Sequence, residues 1–294
     1  MNIIKKLILK NNDPVKYKDY KFISTLNKIS TIQNEFGKIN DNGYAFKHSG
    51  NCGDIIYAIP AIKALSKGKS IHLYLHLNQP ASFNKSIKHP LNNVMLNENI
   101  YNMISPLLLS QENFTNCAIY NNQKIDFNLD LIRQYPIQLD RGNISRWYFL
   151  LFAVNYNLSQ PWLTVPQKLD YSDTIIIARS ERYHSPLINY SFLSKYPKVS
   201  FVGLKNEFDL MSKQITNLKF IEIDNFLQLA SIIAGCKFFI GNQSFPFSLA
   251  EGLKVKRLLE VCYWCPNVSV DGDNGYDFAF QEQFEFLVDK VFYE

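Results

Sequence analysis

Residues 44–77 read YAFKHSGNCGDIIYAIPAIKALSKGKSIHLYLHL, and this stretch decides the fold. A short apolar run, Tyr44–Phe46, enters a polar turn that runs from His48 through Gly50 and Gly53 to Asp54. Ile55, Ile56, Ile59, Ile62 and Leu65 then recur on one face of a helix. Ile71–Leu77 alternates or runs apolar, as a second strand does. Strand, turn, helix and strand in that order make a parallel βαβ unit. Gly50 and Gly53 allow a tight turn with exposed backbone N–H groups. The helix that follows presents its positive dipole end there. Such a turn lies at the carboxyl edge of a parallel sheet, where ligands bind. Asp54 at the helix start reads either as an N-cap or as a functional carboxylate.

Downstream, Ile100–Leu109 reads as helix, Cys117–Tyr120 as a short strand and Ser145–Val154 as a buried helix. Pro161–Asp173 holds two prolines and several turn formers, and is the expected linker. The alternation then restarts. Thr174–Ala178, TIIIA, is a continuous apolar strand of the kind buried on both faces. Strands follow at Val199–Val202, Phe220–Ile223, Phe238–Ile240 and Arg257–Val261, with helices between them. The pattern predicts an α/β protein of two Rossmann-like domains, 41–168 and 169–294, whose parallel sheets face each other across a cleft. Residues 1–40 read as a helical N-terminal extension. Phe284, Leu287, Val288, Val291 and Phe292 mark a terminal amphipathic helix.

The composition fits packed domains. Of 294 residues, 47% are hydrophobic and 19% charged, which excludes a largely disordered chain. Thirty-one basic against 26 acidic residues give +5, too mild for a nucleic-acid partner and well suited to an anionic ligand. The five cysteines are odd in number and follow no secretion signal, so no disulfide framework is expected. Cys262 and Cys265 spell CxxC late in the chain, without the second pair that a zinc site needs. Asp271-Gly-Asp273 spells DxD in a Gly-rich turn after the last strand, and no metal is expected there. The longest fully apolar run, Trp147–Val154, is far too short to span a membrane, so a cytoplasmic protein is expected. Ile3, Ile4, Leu7 and Ile8 form a stripe beside Lys5, Lys6 and Lys10. Packing of this segment on the domain is favoured over peripheral contact with the inner face of an anionic membrane.

Two further loops follow strands of the second half. Arg179 and Arg182 come directly after TIIIA, where guanidinium forks suit a phosphate or diphosphate. Gly241, Asn242, Gln243 and Ser244 leave the strand that ends at Ile240 and enter another helix N-terminus. One turn further on, Glu251 could accept hydrogen bonds from ribose hydroxyls.

The segment GNCGDIIYAIPAIKAL, Gly50–Leu65, resembles the first turn and helix of heptosyltransferase-like glycosyltransferases, the family 9-like enzymes. IIIARSERYHSP, FVGLKNE and IGNQSFPFSLAEGL are similar, in order and spacing, to the nucleotide-sugar half of the same superfamily. The resemblance covers about residues 41–265 and implies the glycosyltransferase B architecture, with the acceptor on the first domain and the nucleotide-sugar on the second. It places the catalytic base on Asp54 and the acceptor beside His48, Ser49, Asn51 and Gly53. The donor would lie on Arg179, Arg182, Gly241, Asn242, Gln243, Ser244 and Glu251. It also implies that the last helix packs back on the first domain. At the family's Asp-Thr-Gly…His loop this chain departs, with Gln243, Phe245 and Ser248 at three of its positions. The implied activity is inverting, metal-independent transfer of a sugar from a nucleotide-sugar to a glycan or glycolipid, in envelope or surface polysaccharide assembly. A non-catalytic glycan- or nucleotide-binding relative and a nucleotide-sugar epimerase are the rival readings.

Overall fold

The computed structural model describes residues 1–33, 43–81, 90–91, 93–134 and 137–294. Residues 34–42, where the expected extension meets the first domain, lie outside them. Before that gap stand two helices, α1 (Ile3–Asn12) and α2 (Pro14–Gln33). The first sheet is built from β1 (Tyr44–His48), β2 (Ile71–Leu75), β3 (Phe114–Ile119) and the two-residue β4 (Phe127–Asn128). Its order is β3-β2-β1-β4 and every pair is parallel. In β1 and β2 every second residue is buried, as the period of a strand requires. Helices α3 (Cys52–Ser66), α4 (Glu98–Leu109) and α5 (Ile144–Phe152) accompany this sheet.

The second sheet has six strands: β5 (Ile175–Ala178), β6 (Val199–Phe201), β7 (Leu218–Phe220), β8 (Phe238–Gly241), β9 (Arg257–Glu260) and β10 (Gly275–Phe278). Its order is β10-β9-β8-β5-β6-β7, again all parallel. With it come α6 (Lys205–Met211), α7 (Phe226–Gly235), α8 (Phe245–Leu253) and α9 (Gln281–Tyr293). Between β5 and β6 a short 3-10 turn, Ser191–Lys195, stands where the alternation predicts a helix. All four residues of β5 are buried because the sheet is covered on both sides. Ile175 and Ile177 join one apolar cluster, with Phe284, Val288 and Val291 of α9. Ile176 and Ala178 join the other, with Leu229, Ile233, Phe247 and Leu249 of α7 and α8.

The last helix corrects the sequence reading. Among the described residues it packs on its own sheet and not on the first domain. Only Ala279 and Phe280 separate β10 from α9, too short a link to carry the helix elsewhere. Its stripe therefore closes its own sheet: Phe284 meets Tyr190 and Phe278, and Phe292 meets Tyr196. The halves are nonetheless joined by more than the linker. Helix α3 packs on α8 and α4 on α7, so one apolar cluster runs from Phe46 and Ile59 through to Phe239 and Ala250. The Pro161–Asp173 segment is a docked strap. The N–H groups of Trp162 and Leu163 both donate to the Gly252 carbonyl, at 2.9 and 3.0 Å. A side chain at Gly252 would lie 2.8 Å from Leu163 Cδ1, so glycine is what lets the strap lie this close.

Candidate active site

In the first sheet the chain leaves β1 for β2 on one side and later returns to β4 on the other. That reversal between β1 and β4 is a topological switch point, where loops diverge and leave room for a ligand. Two loops leave the carboxyl edge there: 48–51 after β1, and the 3-10 turn Leu129–Arg133 after β4. Helix α3 starts at Cys52 with Asn51 as its N-cap residue, so Asp54 stands in the first turn and is not the cap. The Asp54 carboxylate accepts from Arg133 Nη2 at 2.8 Å, and both side chains remain about a quarter exposed (27% and 21%). Arg133 Nη1 reaches Asp130 Oδ1 at 3.1 Å. Burial works against the Arg133 charge, but Asp54, Tyr148 and Asp130 more than offset it and hold its pKa above the ordinary value. Gly50 is required by this pair, since a Cβ there would fall 1.8 Å from Arg133 Nη2 and 2.8 Å from Asp54 Oδ2.

The four residues expected at the acceptor divide into two kinds. His48 is fully buried and cannot touch an acceptor. Gly50 N–H donates to its Nδ1 at 2.9 Å, so Nε2 carries the proton and donates to Tyr148 Oη at 2.8 Å. Burial first, then the Arg133 charge, lower its pKa to about 4. Ser49 is also spent: its N–H and hydroxyl both donate to Asp130 Oδ1 at 2.8 Å. Asn51 and Gly53 remain. Asn51 Oδ1 is buried with no hydrogen-bond partner among the described residues, a costly state that a ligand hydroxyl would relieve. Nothing lies within 4 Å of the place a Gly53 Cβ would take, so that face is open.

In the second sheet the order reverses between β5 and β8, and the loops after those strands meet. Asn242, fully buried, accepts from Ser180 N–H at 3.0 Å and donates to the Ser180 carbonyl at 2.7 Å. Most expected donor ligands turn out to be occupied within the protein. Arg179 forms a two-pronged pair with buried Glu260, at 2.7 and 2.8 Å, and lies on the Tyr190 ring. Gln243 donates to the Cys265 carbonyl and Asn267 Oδ1, both at 2.6 Å, and accepts from Cys262 N–H at 3.0 Å. Glu251 is only 1% exposed and sits between Lys254 and Arg257. Arg257 in turn donates to the Asp271 and Asp273 carbonyls. The DxD segment is thus a turn wrapped around Arg257, with Gly272 at φ +79°. The Gly241 Cβ position is filled by Phe239 and the Ala178 carbonyl, so its role is strand packing.

Arg182 is different. Its Nε donates to Ser180 Oγ at 3.3 Å, and among the described residues no carboxylate pairs with it. Its guanidinium lies on Tyr183, 5.3 Å from the ring centre, and Tyr183 stacks on Trp264 at 5.8 Å. Trp264 is half exposed, 54%. Ser244 precedes α8 without bonding its N–H groups through the side chain. The halves touch beside this turn, where Asn267 Nδ2 donates to the Leu139 carbonyl at 2.8 Å and the Asn267 carbonyl accepts from Ile144 N–H at 3.2 Å. Burial raises the Tyr183 phenol against the lowering by Arg182. Cys262 and Cys265 are thiols in the turn that carries Trp264, and burial pushes Cys265 up to about 11.

Sequence reasoning missed Asp130, Arg133, Tyr183 and Trp264. The first two do leave a signal: an acid and a base three residues apart, directly after Phe127.

Two all-parallel sheets, each with a switch point in its strand order, make a fold of the glycosyltransferase B kind. No family model and no curated protein sequence matches the chain. Among solved structures, the fold is similar to the Escherichia coli heptosyltransferase WaaC with ADP. The TM-score is 0.58 at 8% identity, over 84% of this chain and 99% of that one. It is also similar to a glycosyl transferase of family 9 from Veillonella parvula DSM 2008. Here the TM-score is 0.51 at 10% identity, over 85% and 88%. At such identities the likeness is one of fold.

Proposed function

We propose that this protein transfers a sugar from a nucleotide-sugar to a hydroxyl of a glycan or glycolipid, with inversion and without a metal. What supports this reading is the Asp54–Arg133 pair at the carboxyl edge of the first sheet and Arg182, without a carboxylate partner among the described residues, after β5 of the second, in a fold similar to that of glycosyltransferases. Displacement at the anomeric carbon needs a base for the acceptor proton and a partner for the departing diphosphate. Asp54 is the base in this reading, held in position by Arg133. Asn51 and Gly53 border the acceptor. Arg182 and the first N–H groups of α8 take the diphosphate charge. Trp264 and Tyr183 offer an aromatic face for the flat side of a base or sugar.

The second reading, a non-catalytic binding relative, draws on one finding: Arg179, Gln243 and Glu251 are all occupied by protein groups. One assay separates the two. Mass spectrometry of products is run on a panel of nucleotide-sugars with EDTA present, beside a thermal-shift screen of the same ligands. Transfer in EDTA supports the first reading. A shift without product supports the second; ligand at about 100 times its dissociation constant adds about 2.7 kcal/mol, which is readily seen. Product that requires a divalent ion would overturn the metal-independent step.

A further inference from the structure

Helices α1 and α2 form a hairpin, and its outer face has no protein partner among the described residues. No residue of α1 is buried. The hairpin is anchored near the end of α2, where Ile29 is buried and Gln33 Nε2 donates to the Leu150 carbonyl of α5 at 2.8 Å. The expectation that the Ile3–Ile8 stripe packs on the domain is therefore not met; among the described residues only the last turns of α2 do so. Ile3, Ile4, Leu7 and Ile8 occupy an arc of about 140° on α1 and are between 53% and 75% exposed. On α2, Val15, Phe22 and Leu26 lie in line with the buried Ile29, and all three are exposed.

The charge of the chain is concentrated in the same place. Residues 1–33 hold seven lysines and two aspartates, a net of +5, which equals the net charge of all 294 residues. Residues 34–294 are balanced. Lysines flank an outward apolar stripe, the arrangement of a helix that lies in a lipid interface. A second copy of the chain is a poor occupant, because it would bring two +5 hairpins together. Among the described residues no helix is long and apolar enough to cross a membrane, so contact would be in the plane of the surface.

We propose that the α1–α2 hairpin docks the protein on an anionic lipid bilayer, with the apolar stripe of α1 at the boundary between headgroups and acyl chains and the lysines against the lipid phosphates. The inference draws nothing from the transfer chemistry. Its test uses the full chain without donor or acceptor: sedimentation with vesicles of phosphatidylcholine, alone or with about one-third phosphatidylglycerol. Binding is expected to the anionic vesicles and to fall at least about tenfold when salt approaches 1 M. Replacing Lys5, Lys6 and Lys10 by Gln should weaken it by roughly a hundredfold, about fivefold for each lysine. Leu7→Asp with Phe22→Asp should abolish it, with helix content followed by circular dichroism. Should that variant lose its helices, the lysine variant, which leaves the stripe intact, decides alone. Equal binding to both vesicle types, or no loss in the lysine variant, would overturn the proposal. So would a dimer in sedimentation velocity that the Leu7 and Phe22 changes dissolve without touching vesicle binding.

Discussion

The two switch points of this molecule are built alike and charged differently. At the first, Asp54 and Arg133 pair where both stay about a quarter exposed. At the second, Arg179 pairs with Glu260 almost out of reach of water, as Arg257 does with Glu251 at the opposite, amino edge of the same sheet. A buried pair that loses one partner leaves a stranded charge, so such residues must remain paired and cannot be offered to a ligand. The pair that stays about a quarter exposed can exchange partners at less cost. The lesson is that charge at a sheet's carboxyl edge becomes a candidate ligand only after burial and pairing are known. By that measure the first edge keeps a carboxylate for chemistry, and the second keeps one arginine, Arg182.

The contrast can be tested by mutation. The largest effect should come from Asp54→Asn. Asparagine still accepts from Arg133 but takes no proton, so turnover should fall by about 10²–10⁴-fold with the melting temperature nearly unchanged. Unchanged turnover would make the first edge as structural as the second. Glu251→Ala should do the opposite. It strands Arg257 and Lys254, and urea unfolding should show a loss of about 3–5 kcal/mol. Nucleotide affinity of the protein that remains folded should not change; a selective loss of affinity would return Glu251 to the donor site.

His48 provides a test by pH. Its pKa is lowered from 6.5 to about 4 in the folded chain, so the unfolded chain binds the proton more readily. Stability from this group is fully present above pH 6.5 and is lost as pH falls toward 4, by up to about 3 kcal/mol. In His48→Gln that segment of the stability curve should flatten. An unaltered curve would mean that His48 is not held neutral under Tyr148. The smallest effect belongs to Arg182→Ala, which should weaken nucleotide binding in calorimetry by about 1.5–3 kcal/mol without a change in melting temperature. Affinity equal to that of the original chain would remove the last charged donor ligand from the second edge.

Much of the fold was legible locally. Gly50–Leu65 announced a turn and a buried helix, and TIIIA announced a central strand, because burial imposes periods of 3.6 and 2 on neighbouring residues. β4 was not legible, since two residues carry no period. Its absence hid the Leu129–Arg133 turn, and with it Arg133. β10 was missed because its Gly-Tyr-Asp-Phe is half polar and lies at a sheet edge, so nothing in the pattern countered the resemblance, which sent the last helix to the first domain.

What the sequence determined by itself was the order of most strands and helices, the Gly50–Gly53 turn and the position of Asp54 beside it. Only the tertiary structure decided which charges are available. Asp54 meets Arg133 across 79 positions and Arg179 meets Glu260 across 81. Hydrophobic periodicity is a property of adjacent residues, so it can be read along the chain. Charge pairing depends on which strand lies beside which, and that order is set when the two sheets assemble.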